Sequence, residues 1–114
     1  DIYFFEESLS KINFVTTKKV FGVYEEIKAN NSKKSLDDKI VLIKNADPGF
    51  DYIFNYKIRG LITMYGGSNS HMAIRCLELN IPAAIGIGKI KYEDILLSKK
   101  LMMDCSKKKL YIIK

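Results

Sequence analysis

The only histidine of the 114-residue chain, His71, stands behind a glycine pair in the stretch Tyr65-Gly66-Gly67-Ser68-Asn69-Ser70-His71-Met72-Ala73-Ile74-Arg75. Apolar, β-branched residues from Arg59 to Met64 precede it, and a helical pattern runs from His71 to about Leu79. A strand that turns through two glycines into a helix start gathers amide donors at the helix's positive end, a place for an anion such as phosphate. Glycine suits such a turn because it takes positive φ and lets backbone come close to a ligand. That field disfavours imidazolium, so a histidine in the first helical turn is expected to stay neutral and keep a nucleophilic nitrogen. A phosphoryl group it accepted would meet the same favourable field. The competing reading is that His71 only caps or packs, and on these residues alone both stay open.

Other chemistry is poorly supplied. One histidine and two isolated cysteines, Cys76 and Cys105, cannot provide four zinc ligands, so no metal site is expected. Cys76 follows His71 by five positions, about 140° round a helix, which makes a poor dyad, and both cysteines read as reduced core thiols. Asp37-Asp38 and Glu25-Glu26 read as solvated charge, and Gly86-Ile87-Gly88 lacks the third glycine of a dinucleotide loop. The formal charge of +6 is nearly all lysine, with Arg59 and Arg75 the only arginines. Scattered lysines point to solvated loops and turns, so no nucleic-acid partner is expected. There is no apolar run of roughly 18 to 20 residues and no leader pattern, which points away from membranes and toward the cytoplasm.

The elements that must position the histidine follow from pattern. Residues 1–12 mix aromatic and acidic types without a period and read as a linker or docking segment, leaving 13–114 as one domain, expected to be excised from a longer chain. Val20 to Tyr24 reads as one strand, and Ala29 to Asp38 as a loop. Lys39 to Ile43 and Arg59 to Met64 read as buried strands. Between them Asp47 can cap, and Pro48 can open, a helix of about ten residues whose stripe of Phe50, Ile53, Phe54 and Lys57 shows no chemistry. Asn80 can end the helix begun at His71. Ala83 to Gly88 reads as a third strand, Tyr92 to Lys100 as a short helix or turn, and Leu101–Cys105 with Leu110–Ile113 as a terminal hairpin. The order implies an α/β fold with mixed strand directions.

Gly66-Gly67-Ser68-Asn69-Ser70-His71-Met72-Ala73-Ile74, followed by Asn80-Ile81-Pro82-Ala83-Ala84-Ile85-Gly86, closely resembles the mobile phosphohistidine domain of phosphoenolpyruvate-utilising enzymes. That group includes phosphoenolpyruvate synthase, pyruvate phosphate dikinase, enzyme I of the sugar phosphotransferase system and rifampicin phosphotransferase. The resemblance covers roughly Phe21 to Ile113 and includes Asp47-Pro48. It implies a three-layer β/β/α swivelling domain that carries a phosphoryl group on His71. Phosphate would pass from ATP to pyruvate or a similar acceptor, with Gly66, Gly67, Asn69, Ser70 and Arg75 holding it. The implied partners are an ATP-grasp nucleotide-binding domain and an acceptor-substrate domain, with ATP and Mg2+ at those partners and no cofactor bound here. The domain alone would have no turnover. Alternatives within the resemblance are a dikinase acting on an antibiotic or glucan, and a degenerate docking module. Asn69 stands where threonine is usual, Met64 where many members have an acidic residue, and Leu77 where many have arginine. Arg75 lies one turn after His71 and can reach back to a phosphate, or else pair with Glu78.

Overall fold

A computed structural model of the chain describes residues 2–5, 12–28 and 35–114. Strands β1 (Ile2–Phe5), β2 (Asn13–Val15), β3 (Lys19–Gly22), β4 (Tyr24–Glu26) and β5 (Ile40–Asn45) lead to a 3₁₀ helix, Pro48–Asn55. Strand β6 (Gly60–Tyr65), helix α1 (His71–Leu79), strand β7 (Ala83–Ile85), helix α2 (Lys89–Leu96) and strands β8 (Lys100–Asp104) and β9 (Lys109–Ile113) complete the order. The described strands form a four-stranded sheet, β1-β9-β8-β3, and a five-stranded sheet, β2-β7-β6-β5-β4. The first is antiparallel throughout. In the second, β4 to β7 run parallel and β2 joins antiparallel at the edge. The fold is therefore α/β with a mixed sheet, as the element order implies.

The middle strands of the five-stranded sheet, β5 to β7, are buried on both faces over most of their length, which is why β5 and β6 read as unbroken apolar runs. Side chains alternate along a strand. Ile40, Leu42, Ile62, Met64 and Ala84 point into one apolar cluster, shared with Leu101, Met103, Leu110 and Ile112 of the other sheet and with Tyr92 and Ile95 of α2. Val41, Ile43, Leu61, Ala83 and Ile85 point into a second cluster with Ile53 of the 3₁₀ helix and Met72, Ala73 and Cys76 of α1. The elements that carry chemistry thus lie on one face, and the antiparallel sheet with α2 covers the other.

Several local expectations change. The segment Val20 to Tyr24 is two strands: the chain leaves the first sheet at Gly22 and enters the second at Tyr24, with Val23 between them. The helix opened by Asp47-Pro48 is 3₁₀ and eight residues long. Asp47 Oδ1 accepts from the Gly49 amide at 2.8 Å, while Phe50 N to Asp47 O and Tyr56 N to Ile53 O close i to i−3 turns. Helix α2 starts at Lys89, ahead of the expected Tyr92. Of the segment 1–12, residues 2–5 pair with β9, and residues 1 and 6–11 lie outside the described residues, as do 29–34 of the expected loop. Helix α1 spans the expected residues, and Asn80 ends it in the left-handed region at φ 57°.

The turn after β7 fixes the end of β6. Thr63, fully buried, donates its hydroxyl to Tyr65 O at 2.9 Å and accepts from the Gly86 amide at 3.0 Å. Gly86 sits at φ 80°, and a Cβ there would collide with the carbonyl oxygen of Gly66. Gly67 has open space around its Cβ position. Gly86→Ala should therefore cost about 2 kcal/mol or more from strain and collision, while Gly67→Ala stays within about 0.5 kcal/mol. Urea unfolding midpoints of the two variants compare them directly, and equal losses would show that the Gly86 contact does not fix the turn.

Candidate functional site

The site forms where β5 and β6 end. These strands are parallel neighbours, with Asn45 opposite Tyr65, so the loops that leave them run side by side. Gly66, at φ 131°, is wedged between them: a Cβ would stand 2.7 Å from the Cβ of Ala46 and 3.2 Å from Ile85. From β5 the chain enters the 3₁₀ helix through Asp47. From β6 it passes Gly67, whose carbonyl accepts from the Ser70 amide at 3.0 Å, and enters α1. Ser70 is the N-cap, with its hydroxyl accepting from the Ala73 amide at 3.4 Å, and His71 is the first residue of the helix.

The two helices meet through matched spacings. In a 3₁₀ helix residues three apart share a side, so Asp51 and Phe54 face the same way. In an α-helix residues four apart do so, and His71 and Arg75 answer them. Asp51 Oδ1 is 2.9 Å from His71 Nε2 and accepts from Arg75 Nε at 3.2 Å. The Arg75 guanidinium lies over the Phe54 ring at 5.2 Å from its centre, and its Nη1 is 3.7 Å from Glu78 Oε1. The hydrogen bond to His71, and after it the bond and charge of Arg75, hold the Asp51 carboxyl below its usual range against the opposing effect of desolvation. The side chains remain open to solvent, at 38% for His71 and 44% for Asp51.

Gly66, Gly67, Asn69, Ser70, His71 and Arg75 thus gather at one end of α1 and its approach loop, with Gly66 through Asn69 exposed. The two open readings of Arg75 resolve in part, since it pairs with Glu78 and also with Asp51. Asp51 is the residue that sequence reasoning missed. It lies inside the stripe where no chemistry was seen, and its one available signal was the three-residue spacing to Phe54. Met64 is buried in the cluster between the two sheets, on the opposite face from His71, so its side chain does not face the imidazole. Leu77 is 65% exposed and, with Ile74, Ala73 and Ser68, lines a cleft of about 380 Å³ against β2. Cys76 is no partner for the histidine: burial pushes its thiol up to about 12. Cys76 and Cys105 are both free and buried, as expected of core thiols. Among the described residues no group of three or more His, Cys, Asp or Glu can hold a metal ion, and no helix is long and apolar enough to cross a membrane.

A histidine at the start of a helix, behind a glycine turn at the ends of parallel strands, agrees with the comparison of the whole chain. The family model for the PEP-utilising enzyme mobile domain matches residues 36–108, more than half of the chain. The chain belongs to that family, and membership implies a phosphohistidine carrier role within phosphoenolpyruvate-utilising enzymes. No curated protein matches it.

The lowered Asp51 carboxyl sets an acid limb of stability. A carboxyl depressed in the folded state contributes fully above its unfolded value and loses that contribution as pH falls through the folded one. Wild type should therefore exceed Asp51→Asn in urea midpoint at about pH 5, and the gap should close toward about pH 2. A gap that is constant across this range would mean that the carboxylate charge contributes nothing to the contact between the 3₁₀ helix and α1.

Proposed function

We propose that residues 13–114 are the phosphoryl-carrier domain of a multidomain phosphotransferase, a three-layer β/β/α swivelling unit that takes phosphate from ATP onto His71. It delivers the group to pyruvate or a similar acceptor, in the manner of phosphoenolpyruvate synthase and pyruvate phosphate dikinase. The observation that carries this reading is the placement of His71: first residue of α1, capped by Ser70, ring exposed and held by Asp51. A neutral ring nitrogen forms the N–P bond as the bond from phosphorus to the donor oxygen breaks, and the electron pair leaves with that oxygen. The positive end of α1, the amides of Gly66 and Gly67, and the side chains of Asn69 and Ser70 receive the phosphoryl oxygens. Arg75, one turn on, reaches back toward them.

The domain binds no cofactor of its own. ATP and Mg2+ sit on an ATP-grasp partner domain, the acceptor on another, and the domain moves between them in the cytoplasm, so that the swing can limit turnover. The exposure of His71 supports this, since the same nitrogen must be reachable by two separate active sites.

Full-length protein incubated with magnesium and ATP labelled at the β-phosphate should take up acid-labile, base-stable label, and His71→Ala should take up none. Equal labelling of the two proteins, or none in wild type, would remove His71 from the carrier role.

A further inference from the structure

We propose that the cleft beyond the ends of β4 and β5 is a second anion site, one that takes a phosphate group, either as free phosphate or diphosphate or on a small organic ester. The cleft measures about 190 Å³ and is lined by Ile27, Lys28, Lys44, Asn45 and Phe50. Strand β4 pairs with β5 in parallel, with Tyr24 opposite Ile40 and Glu26 opposite Leu42, and the Ile27 amide continues the ladder by donating to Leu42 O at 2.9 Å. Two residues beyond Glu26 and Leu42, the same register sets Lys28 beside Lys44. Both are exposed, and each follows a buried isoleucine, Ile27 or Ile43.

Like charges at facing positions of neighbouring strands repel, and the pair is destabilising unless an opposite charge answers it. At the start of these two strands a lysine is answered: Lys39, just before β5, meets Glu25 of β4 at 3.4 Å. At their carboxyl ends, among the described residues, no carboxylate lies within ion-pair distance of Lys28 or Lys44. A lysine ammonium has three donors and no acceptor, and the Asn45 carboxamide adds two more donors, so the cleft calls for a ligand made of acceptor oxygens. Ordinary small-molecule pockets begin near about 300 Å³, so this smaller room suits one or two phosphate groups rather than a whole nucleotide.

Position in the fold agrees. Ligands of parallel sheets bind outside the carboxyl ends of the strands. Ala46, which follows Asn45, is the residue against which Gly66 is wedged. The cleft therefore lies on the same rim as the glycine turn before His71, and its lining shares no residue with the group formed by Asp51, Phe54, His71 and Arg75.

Lysine acetylation of the full-length protein by an N-hydroxysuccinimide ester, read residue by residue by mass spectrometry, tests the site in rising inorganic pyrophosphate at constant ionic strength. Lys28 and Lys44 should be protected together, with one half-protecting concentration. At about ten times that concentration both should react about tenfold more slowly, since only the empty site reacts. Lys99 and Lys100, where β8 of the other sheet begins, should react at an unchanged rate. Lys44→Gln should raise the half-protecting concentration read at Lys28 about tenfold, the scale of one lost hydrogen bond to a charged group. His71→Ala should leave the protection intact, so the result stands apart from the carrier role. Phenyl phosphate compared with inorganic phosphate identifies the source: stronger protection by the ester assigns the site to a phosphate carried on an organic group, and weaker protection assigns it to the free anion. Equal slowing at all of these lysines, no protection of Lys28 and Lys44, or protection that disappears in His71→Ala overturns the site.

Discussion

Burial of β5, β6 and β7 on both faces leaves this chain few places to put polar chemistry. Ile40 to Ile43 and Leu61 to Thr63 are fully buried, and their side chains alternate between two separate apolar clusters. A polar group along those strands would need a buried partner, as Thr63 has in Tyr65 O and the Gly86 amide. The chain becomes free to carry reactive side chains only past the last buried residue of each strand. In parallel sheets that point is the carboxyl end, where the following helices begin and ligands commonly bind. Asp51 and His71 come after the ends of two adjacent strands held in register, which is why residues twenty apart in sequence share a hydrogen bond.

The bonds at the site are individually small. Exposed ion pairs typically contribute about 0.2 to 1 kcal/mol, so the Asp51, Arg75 and Glu78 contacts matter little to the stability of the fold. Their effect is directional. Each side chain touches at least one other member, and the 3₁₀ and α-helical spacings bring the pairs Asp51 with Phe54 and His71 with Arg75 opposite each other. Moving Asp51 by one position in a helix of three residues per turn would rotate its carboxylate about 120° from the ring.

Much of this was legible in the residues. The strand, the glycine turn, the Ser70 cap and the helix to Leu79 all appear from spacing, because each follows from local rules of amide satisfaction and burial. Asp47-Pro48 likewise announced a helix start. The rest depended on information that a single sequence does not carry locally. Val20 to Tyr24 has the composition of one strand, and only the pairing of Gly22 with Leu101 and Tyr24 with Ile40 shows that it serves two sheets. Asp51 reads as one more polar residue on a helix until the register of β5 and β6 brings it to His71. Met64 drew attention by its position in a motif, yet the period-two alternation of β6 turns its side chain toward the other core.

The electrostatic balance of the site bears on what a carrier must do. A phosphoryl group held too well is not passed on. Arg75 is shared between Asp51 and Glu78 before any phosphate arrives, so its charge is already answered by two carboxylates. An incoming dianion on His71 would compete with them rather than meet a free cation, and it would add negative charge beside both. The helix end and glycine-turn amides favour the phosphoryl group, while the acidic neighbours of Arg75 limit how deep that well becomes. In the proposed cycle this balance suits a group that two separate active sites must load and unload, and it makes Glu78, which lies off the histidine, a contributor to the ease of transfer through Arg75.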